Sequence, residues 1–219
     1  MRYLEVTAVL LLALAGMGMQ GSIAQTAHTH QHQFSGAEHW AAVFDDPSRD
    51  AWQKPHEVIQ ALQLAPDSLV ADIGSGTGYF SARLAHFVPK GRVYGVDIEP
   101  DMVKYLAERA KREQLPNLTA VSGAPDDPRL PGKVDLVLMV DVYHHLGDRD
   151  RYLRKLRGSL KPGGRVAIID FDQRTQMGPP KGERVAPETV RSELEKAGYV
   201  LSKQHDFLPD QYFMVFRAR

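Results

Sequence analysis

Three glycines on alternate positions separate an apolar run from a helical pattern in the stretch VADIGSGTGYF, which covers residues 70–80. The apolar run predicts a buried strand, and the pattern that starts at Tyr79 predicts a helix. Glycine-rich turns between a strand and a helix are typical of α/β folds, in which the backbone approaches a nucleotide cofactor at the N-terminus of the helix. The turn therefore predicts a sheet of parallel strands connected by helices.

The rest of the chain repeats this alternation. Strands are predicted at residues 69–73, 91–97, 118–121, 134–140 and 165–171, and helices at 37–44, 55–64, 79–87, 100–112, 148–160 and 187–197. Turn-forming residues at 45–50 separate the first two helices, and the sequence Lys-Pro-Gly-Gly at 161–164 ends the fifth. Strand-like segments at 199–207 and 211–216 predict a terminal hairpin. We predict an α/β fold with a doubly wound, mostly parallel seven-stranded sheet and a C-terminal antiparallel hairpin.

Residues 1–24 have the pattern of a secretory signal peptide. Arg2 precedes an apolar run at residues 6–15 that is too short to span a bilayer comfortably. Ser22 and Ala24 stand at the −3 and −1 positions of a predicted cleavage site. Cleavage there predicts a mature chain that begins near Gln25, has no membrane span and is periplasmic or secreted. The alternative interpretation is an uncleaved N-terminus that anchors the protein to the inner membrane.

Residues 25–36 are polar and predict a flexible linker, since they contain too few apolar side chains to form a core. The linker carries His28, His30 and His32 on alternate positions. Three imidazoles on one side of an extended chain match a ligand set for zinc, copper or nickel. Because no rigid frame supports them, we predict a solvated tail and assign no metal site. The main domain is predicted at residues 37–219, with cap helices in 37–64.

The composition argues against several classes of function. The 27 basic and 27 acidic residues give a formal net charge of zero, which disfavours binding to nucleic acid through bulk charge. The chain has no cysteine, so disulfides, thiolate zinc sites and cysteine nucleophiles are excluded.

The position of the third glycine distinguishes two classes of cofactor. Dinucleotide-binding turns follow the pattern G-x-G-x-x-G, which from Gly74 would place the third glycine at position 79. Tyr79 stands there, and the glycine comes one residue earlier, at Gly78. Asp72 lies at the end of the predicted strand, where its carboxylate would repel a pyrophosphate and attract an ammonium group. The turn therefore favours S-adenosylmethionine (SAM), which carries an amino group on its methionine end, over NAD.

Four motifs in this order resemble the class I SAM-dependent methyltransferases. They are residues 72–78 (DIGSGTG), 96–98 (VDI), 135–138 (DLVL) together with Asp141, and 160–165 (LKPGGR). The resemblance runs from about residue 58 to residue 219 and implies SAM as the cofactor. It also implies that Asp72 faces the methionine amino group and that Asp97 accepts hydrogen bonds from both ribose hydroxyls. The cofactor-binding residues implied in this way are Asp72, Gly74, Ser75, Gly76, Thr77, Gly78, Asp97, Ile98, Gly123, Ala124 and Asp141.

The residues expected around adenine depart from the family pattern. The resemblance implies that Ile98 packs on the adenine face. Many members bind the adenine amino group with an acidic residue after the third strand, but Ala124 occupies that position here. The alternatives are backbone groups of Gly123 and Ala124, or the side chain of Asp126.

We predict Asp141, His144 and His145 as the catalytic residues, because they follow the predicted central strand and ligands bind outside the carboxyl ends of such strands. Either histidine suits the removal of a proton from a hydroxyl or a protonated amine. In the alternative interpretation, the histidines only pack and cap the next helix. Residues 52–55 are predicted either to cover the cofactor or to anchor the core. The loop at 175–185 is predicted to be an acceptor lid or a plain surface loop.

The predicted function is methyl transfer from SAM to an unidentified, small-molecule acceptor. One alternative is an exported protein that binds a ligand in this fold without turnover. The other is an NAD-dependent oxidoreductase, which Tyr79 and Asp72 disfavour. An exported methyltransferase would need SAM brought to it from elsewhere, since SAM is made in the cytoplasm.

Overall fold

The computed structural model describes residues 36–219 of the chain. The predicted signal peptide and nearly all of the predicted linker, including His28, His30 and His32, lie outside the described residues. Across residues 36–219, no helix is both long and apolar enough to cross a membrane.

The core of the structure is one seven-stranded sheet with the strand order β3-β2-β1-β4-β5-β7-β6. The strands are β1 (Leu69–Ile73), β2 (Arg92–Asp97), β3 (Leu118–Ser122), β4 (Val134–Val140), β5 (Leu160–Phe171), β6 (Tyr199–His205) and β7 (Gln211–Ala218). The first five are parallel, and β7 is antiparallel to both β5 and β6. The predicted mostly parallel sheet with a C-terminal antiparallel hairpin is confirmed.

Helices cover both faces of the sheet. They are α1 (Ala37–Phe44), α2 (Arg49–Gln53), α3 (Pro55–Ala61), α4 (Tyr79–Phe87), α5 (Pro100–Arg112), α6 (Arg149–Gly158) and α7 (Pro187–Lys196). One apolar core lies under α3, α4 and α5 and includes Ile59, Leu84 and Leu106. The other lies under α6 and α7 and includes Leu153 and Leu194. Strand β4 is buried along nearly its whole length, as its continuous apolar run predicts.

The two largest differences from the predicted boundaries are at α2 and at the start of β5. Helix α2 starts inside the predicted turn at 45–50, because the amide of Ser48 donates to Oδ1 of Asp46 at 2.8 Å and turns the chain into a helix. Helix α6 ends at Gly158, and β5 begins at Leu160 instead of residue 165. Leu160 pairs with Val134 ahead of a register shift, so Lys-Pro-Gly-Gly forms an irregular part of a long strand.

The carboxyl ends of the parallel strands meet at one edge of the sheet. Val140 at the end of β4 lies opposite Ile169 of β5. The hairpin returns the chain to the same edge, because Gln211 at the start of β7 lies opposite Phe171 at the end of β5. Residues that follow β1, β4 and β5, and those that precede β7, are therefore neighbours.

The first helices lie over the glycine turn between β1 and α4. Arg109 of α5 donates to Oδ1 of Asp45 at 2.8 Å and to the carbonyl of Thr77 at 3.1 Å, which joins the end of α1 to the turn. A Cβ added at Gly76 would lie 3.4 Å from the Phe44 ring. The segment that contains α1 and α2 thus covers the edge of the sheet where the candidate site is located.

Candidate active site

The glycine turn follows a path that other residues adopt only with strain. Gly74 and Gly78 have φ angles of +68° and +95°, in the left-handed region. A Cβ at Gly74 would lie 2.2 Å from Cγ2 of Val142, and one at Gly78 would lie 2.4 Å from Cδ1 of Leu106. Glycine therefore allows the turn to pack directly against α5 and against the segment after β4.

Two hydroxyl groups on this turn are buried without a hydrogen-bond partner. Among the described residues, the buried side-chain atoms in this condition are Ser75 Oγ, Thr77 Oγ1 and His205 Nε2. Buried hydroxyls are normally hydrogen-bonded. The two unsatisfied oxygens on one turn indicate that the turn is shaped to receive a polar ligand.

Asp72 is a buried carboxyl group at the end of β1, with 3% of its surface exposed. Its Oδ2 accepts a hydrogen bond from Ser81 Oγ at 2.6 Å. Burial raises the pKa of Asp72 to about 7, against the effect of the Ser81 hydroxyl; the charge of Asp97 adds to the increase and that of Arg49 opposes it. A ligand ammonium group beside Asp72 would stabilise the ionised form.

Asp97 connects the end of β2 to the glycine turn. Its Oδ2 accepts from the amide of Gly76 at 2.8 Å, and its Oδ1 accepts from the amide of Glu99 at 3.0 Å. Burial raises the pKa of Asp97 in spite of these bonds. A carboxylate has about four acceptor positions, so Asp97 retains the capacity to accept two further hydrogen bonds from a vicinal diol.

The residues predicted around adenine have contacts of their own. Ile98 has 43% of its surface exposed and offers an apolar face next to Asp97. The amide of Gly123 donates to the carbonyl of Asp97 at 2.9 Å, and the amide of Ala124 donates to the carbonyl of Asp127 at 2.7 Å. Asp126 accepts from Lys155 of α6 at 2.9 Å. Both amides and the Asp126 carboxylate are thus engaged within the protein.

Asp141, directly after β4, has a φ of +58°, which is uncommon for a residue with a side chain. Its Oδ1 accepts a hydrogen bond from Nε2 of Gln211, and its Oδ2 lies 3.5 Å from NH2 of Arg49. Burial, followed by the charge of Asp170, raises the pKa of Asp141 to about 7. The structure thus brings Asp141 to the same edge as Asp72 and Asp97.

His144 forms a buried pair with Asp170 of β5. Its Nδ1 lies 2.9 Å from each carboxylate oxygen, and its amide donates to Oδ2 at 3.2 Å. The two side chains have 4% and 1% of their surface exposed. Burial alone would lower the pKa of His144, but the hydrogen bond and charge of Asp170 outweigh it and raise that pKa above its usual value. The bond at Nδ1 leaves Nε2 as the nitrogen able to exchange a proton with a ligand.

His145 has a different environment from its neighbour. Its ring centroid lies 4.0 Å from that of His144, and the residue is exposed. The cap of α6 comes from Asp148, whose Oδ1 accepts from the amide of Arg151 at 3.1 Å. The predicted histidine pair therefore separates into one residue coupled to a buried carboxylate and one at the surface.

Three residues of the site were absent from the sequence prediction, Arg49, Asp170 and Gln211, whereas Gln53 lies in the predicted segment 52–55. Arg49 and Gln53 are four residues apart, so they share one face of α2, and this spacing was the available signal. Asp170 is an acidic residue near the end of an apolar strand, which was a second signal. Gln211 gave none, because a polar residue at the start of a strand is common. Trp52, which was predicted, packs its ring 5.9 Å from that of Phe171.

Arg184 organises the loop that follows β5. Its guanidinium donates to four backbone carbonyls, at distances between 2.6 and 2.9 Å. These carbonyls belong to Asp172, Thr175, Met177 and Pro179. Part of the loop lines an open cavity of about 600 Å³ together with Pro209 and Asp210 of the hairpin turn. The predicted loop at 175–185 is thus a fixed structure at the edge of the sheet where the site lies.

The residues present fit SAM. Asp72 is a buried carboxyl group suited to an ammonium group, Asp97 has free acceptor capacity for a diol, and Ile98 has an exposed apolar face for a planar base. The unsatisfied oxygens of Ser75 and Thr77 lie between them in the chain.

Comparisons with known proteins agree with this arrangement. A family model described as a methyltransferase domain matches residues 71–166. The trans-aconitate 2-methyltransferase of Deinococcus radiodurans is 36% identical over 121 residues, which cover 55% of this chain and 45% of that protein. The demethylmenaquinone methyltransferase of Listeria welshimeri is 30% identical over 124 residues, which cover 56% and 52%. This chain therefore spans about half the length of these curated relatives.

A solved structure matches a larger part of the chain. A SAM-dependent methyltransferase from Aquifex aeolicus superposes with a TM-score of 0.77 and 26% identity, over 84% of this chain and 99% of the other. The strand order, the glycine turn followed by Asp97, the family model and this match agree. Residues 71–166 match a methyltransferase domain, the chain has the fold of the SAM-dependent methyltransferases, and SAM is its cofactor.

Proposed function

We propose that this protein transfers the methyl group of SAM to a hydroxyl group of a small molecule. The observation that carries this proposal is the buried His144–Asp170 pair, which lies at the same edge of the sheet as Asp72 and Asp97. A hydroxyl must lose its proton when it is methylated, and a histidine oriented by a carboxylate is a suitable general base. The relatives named for trans-aconitate and demethylmenaquinone support a small-molecule acceptor.

The residues of the chain have distinct roles in this proposal. Bound SAM supplies an activated methyl group. Asp72 binds its ammonium group, Asp97 its ribose hydroxyls and Ile98 one face of its adenine. Asp170 holds His144 with Nδ1 occupied, so that Nε2 takes the proton of the acceptor. The segment that contains α1 and α2 excludes water from the edge of the sheet, which aligns the reactants and strengthens electrostatic interactions.

The test is a screen for transfer of a radiolabelled methyl group from SAM to periplasmic and cytosolic extracts. We expect label in a low-molecular-weight fraction, in a product that resists mild base as an ether does. Label in protein or nucleic acid would contradict the small-molecule proposal. Calorimetric titration with SAM, S-adenosylhomocysteine (SAH) and NAD separates the alternatives, because binding of NAD alone would support an oxidoreductase. Binding of SAM without transfer to any extract would support a binding protein.

We also propose that the mature protein acts outside the cytoplasm, from the leader-like sequence of residues 1–24. Fractionation of cells that express the full chain tests this. A shortened protein in the periplasmic fraction is expected, and an uncleaved protein confined to the cytosol would contradict it.

A further inference from the structure

The two outer strands of the sheet differ in how they are protected against pairing with another strand. Strand β6 carries Lys203 and has an irregular register between Leu201 and Lys203. A charge or an irregularity of this kind blocks the addition of a further strand. Strand β3, at the opposite edge, has the sequence Leu-Thr-Ala-Val-Ser and contains no charged residue. The β3 edge therefore lacks the protection that the β6 edge has.

The backbone of β3 offers hydrogen bonds at this edge. The amide of Gly123, just after β3, donates to the carbonyl of Asp97 of β2 at 2.9 Å. Such bonds come from every second residue of a strand, so the odd-numbered residues of β3 face β2. The amides and carbonyls of Ala120 and Ser122 point away from the sheet. Within residues 36–219, no backbone group outside the sheet bonds to them.

An open groove lies beside this edge, between α5 and β3. Small or apolar side chains make up most of its lining, among them Ala107, Ala110, Leu115, Leu118 and Ala120. The alanines leave room for a second strand and for the helix that covers it. Ala107 and Ala120 line the same groove, so the middle of α5 lies level with the middle of β3.

The outer side of α5 carries four exposed charges of alternating sign. Asp101, Lys104, Glu108 and Lys111 follow one another at spacings of three, four and three residues, so they share one side of the helix. We call these four residues the charge stripe. An antiparallel copy of α5 places Asp101 opposite Lys111 and Lys104 opposite Glu108. The charge stripe is therefore complementary to itself, which favours a second copy of this chain as the partner.

We propose that β3 pairs in antiparallel orientation with β3 of a second copy, which gives a two-fold symmetric dimer with a continuous sheet. The symmetry axis passes beside Ala120, perpendicular to the sheet. The outward amide and carbonyl of Ala120 then bond to those of the same residue in the second copy. Leu118 lies opposite Ser122 of the second copy, so the carbonyl of Leu118 accepts from that amide.

The same axis brings the two α5 helices together. Both helices cover the same face of the joined sheet, and they run in opposite directions because the axis is two-fold. Paired strands lie about 4.8 Å apart, so helices that cover the outer strands of their own sheets become neighbours. The two charge stripes meet in the antiparallel order that pairs opposite charges. Backbone pairing and charge pairing therefore require one and the same arrangement.

This dimer leaves the acceptor side of the site uncovered. In the strand order, β3 is the first strand, whereas His144 and Asp170 lie at the ends of β4 and β5 on the other half of the sheet. The proposal is thus independent of the proposed function. Absence of methyl transfer would not bear on the dimer, and a monomeric protein would not contradict methyl transfer.

The test is sedimentation velocity of the purified full chain at a series of concentrations. We expect a species with twice the mass of one chain, which dissociates on dilution. Ala120→Pro should raise the dissociation constant of the dimer by about tenfold or more, because proline removes an outward amide and closes an edge strand to pairing. The sheet of each copy keeps its own hydrogen bonds in this variant, since the amide of Ala120 does not face β2.

The charge stripe is tested by reversal of its charges. Lys104→Glu should raise the dissociation constant about tenfold, because the symmetry turns two attractive pairs into two repulsive ones. Addition of Glu108→Lys restores opposite charges and should recover the association of the wild type. Lys196→Glu is the control, since it reverses an exposed lysine on α7, outside the proposed interface.

A wild type that sediments as a single chain at every concentration would overturn the proposal. The edge would then be left to another occupant, such as a segment of residues 1–35 of the same chain or a strand of another protein. A dimer that Ala120→Pro and Lys104→Glu leave unchanged would also overturn it, because such a dimer uses another surface. Circular dichroism checks the fold of each variant. Should Ala120→Pro not fold, failure of Glu108→Lys to restore the association lost in Lys104→Glu would still overturn the proposal.

Discussion

The proposed cofactor side and the proposed acceptor side of the site are assembled in different ways. The cofactor side comes from β1, the glycine turn and the end of β2, which are consecutive in the chain. Its contacts are largely with the backbone, as in the hydrogen bond from the Gly76 amide to Asp97. The acceptor side combines His144, Asp170, Trp52 and Arg184, which come from four separate segments and act through side chains.

This difference determines how readily residues on each side are replaced without loss of the fold. A backbone cradle tolerates few changes, because residues such as Gly78 leave no space for a Cβ. Side chains on separate segments are replaceable one at a time without altering the sheet, which is how one fold serves many acceptors. Mutations on the two sides should therefore have separable effects, and the following predictions test that separation.

The largest effect is expected on the acceptor side. His144→Ala removes the proposed general base and should lower kcat about 100- to 10,000-fold, while SAH affinity stays within about twofold by calorimetry. His145→Ala is the matched control, since His145 lies at the surface next to it. Equal kcat in wild type and His144→Ala would remove the general-base proposal. A parallel loss of SAH affinity would show that the two sides are not separate.

Asp97→Ala should have the next largest effect, on the cofactor side. Loss of hydrogen bonds from both ribose hydroxyls to a carboxylate is expected to weaken SAH binding about 100-fold. Asp150→Ala removes an exposed carboxylate that pairs with Arg154 and serves as the control. An affinity within a few fold of wild type would remove Asp97 from the proposed cofactor site.

The affinity for SAH should increase with pH, because Asp72 on the cofactor side binds the ligand in its ionised form. The pKa of Asp72 without ligand is about 7, and the ligand ammonium group favours the ionised form, so binding releases a proton. Below pH 7 the affinity should fall about tenfold per pH unit, and Asp72→Asn should remove most of this dependence. Titrations in buffers of different ionisation enthalpy measure the released proton. A flat profile between pH 5 and 8 would contradict the role of Asp72.

The raised pKa of Asp72 also predicts that the stability of the free protein changes with pH in the opposite direction to the SAH affinity. Between pH 4 and 7 the folded protein keeps a proton on Asp72 that the unfolded chain has lost, since the unfolded value is 3.8. The contribution of Asp72 to the free energy of unfolding therefore decreases as pH rises through this range. Asp72→Asn should flatten the pH dependence of Tm, measured without ligand. A steeper dependence in the variant would contradict the assignment.

The smallest effect on cofactor binding is expected from Arg184→Met. This change removes the donors that hold four carbonyls of the loop after β5, and it should lower the free energy of unfolding by about 1–3 kcal/mol. SAH affinity should stay within about twofold, and amide hydrogen exchange in residues 172–180 should accelerate. Arg174→Met is the control, since that side chain is 90% exposed. Weakened SAH binding would show that the loop contributes to the cofactor side.

The sequence predicted the glycine turn and the elements around it well because their determinants are local. Three glycines between a strand and a helix fix the turn, and the apolar run of β4 indicates a central strand. The acceptor side was harder to predict from the sequence, because the pairing of His144 with Asp170 depends on β4 and β5 being neighbours. Arg49 lies in a stretch of turn-forming residues, and nothing local shows that α2 lies over the glycine turn. Site residues that are brought together by tertiary contacts are identified only from the structure.

The hydrogen bonds that join Arg49, Gln53, Gln211 and Asp141 into a closed ring also have a consequence for the order of folding. The hydrogen bond between Gln53 and Gln211 joins residues 158 positions apart, so it forms only after the last strand has joined the sheet. Closing so long a segment is costly in entropy, and such contacts form late. A refolding chain should therefore recover its secondary structure before it is able to bind SAM. In a refolding experiment, SAH binding should appear after the far-ultraviolet circular dichroism signal, and simultaneous recovery would contradict this order.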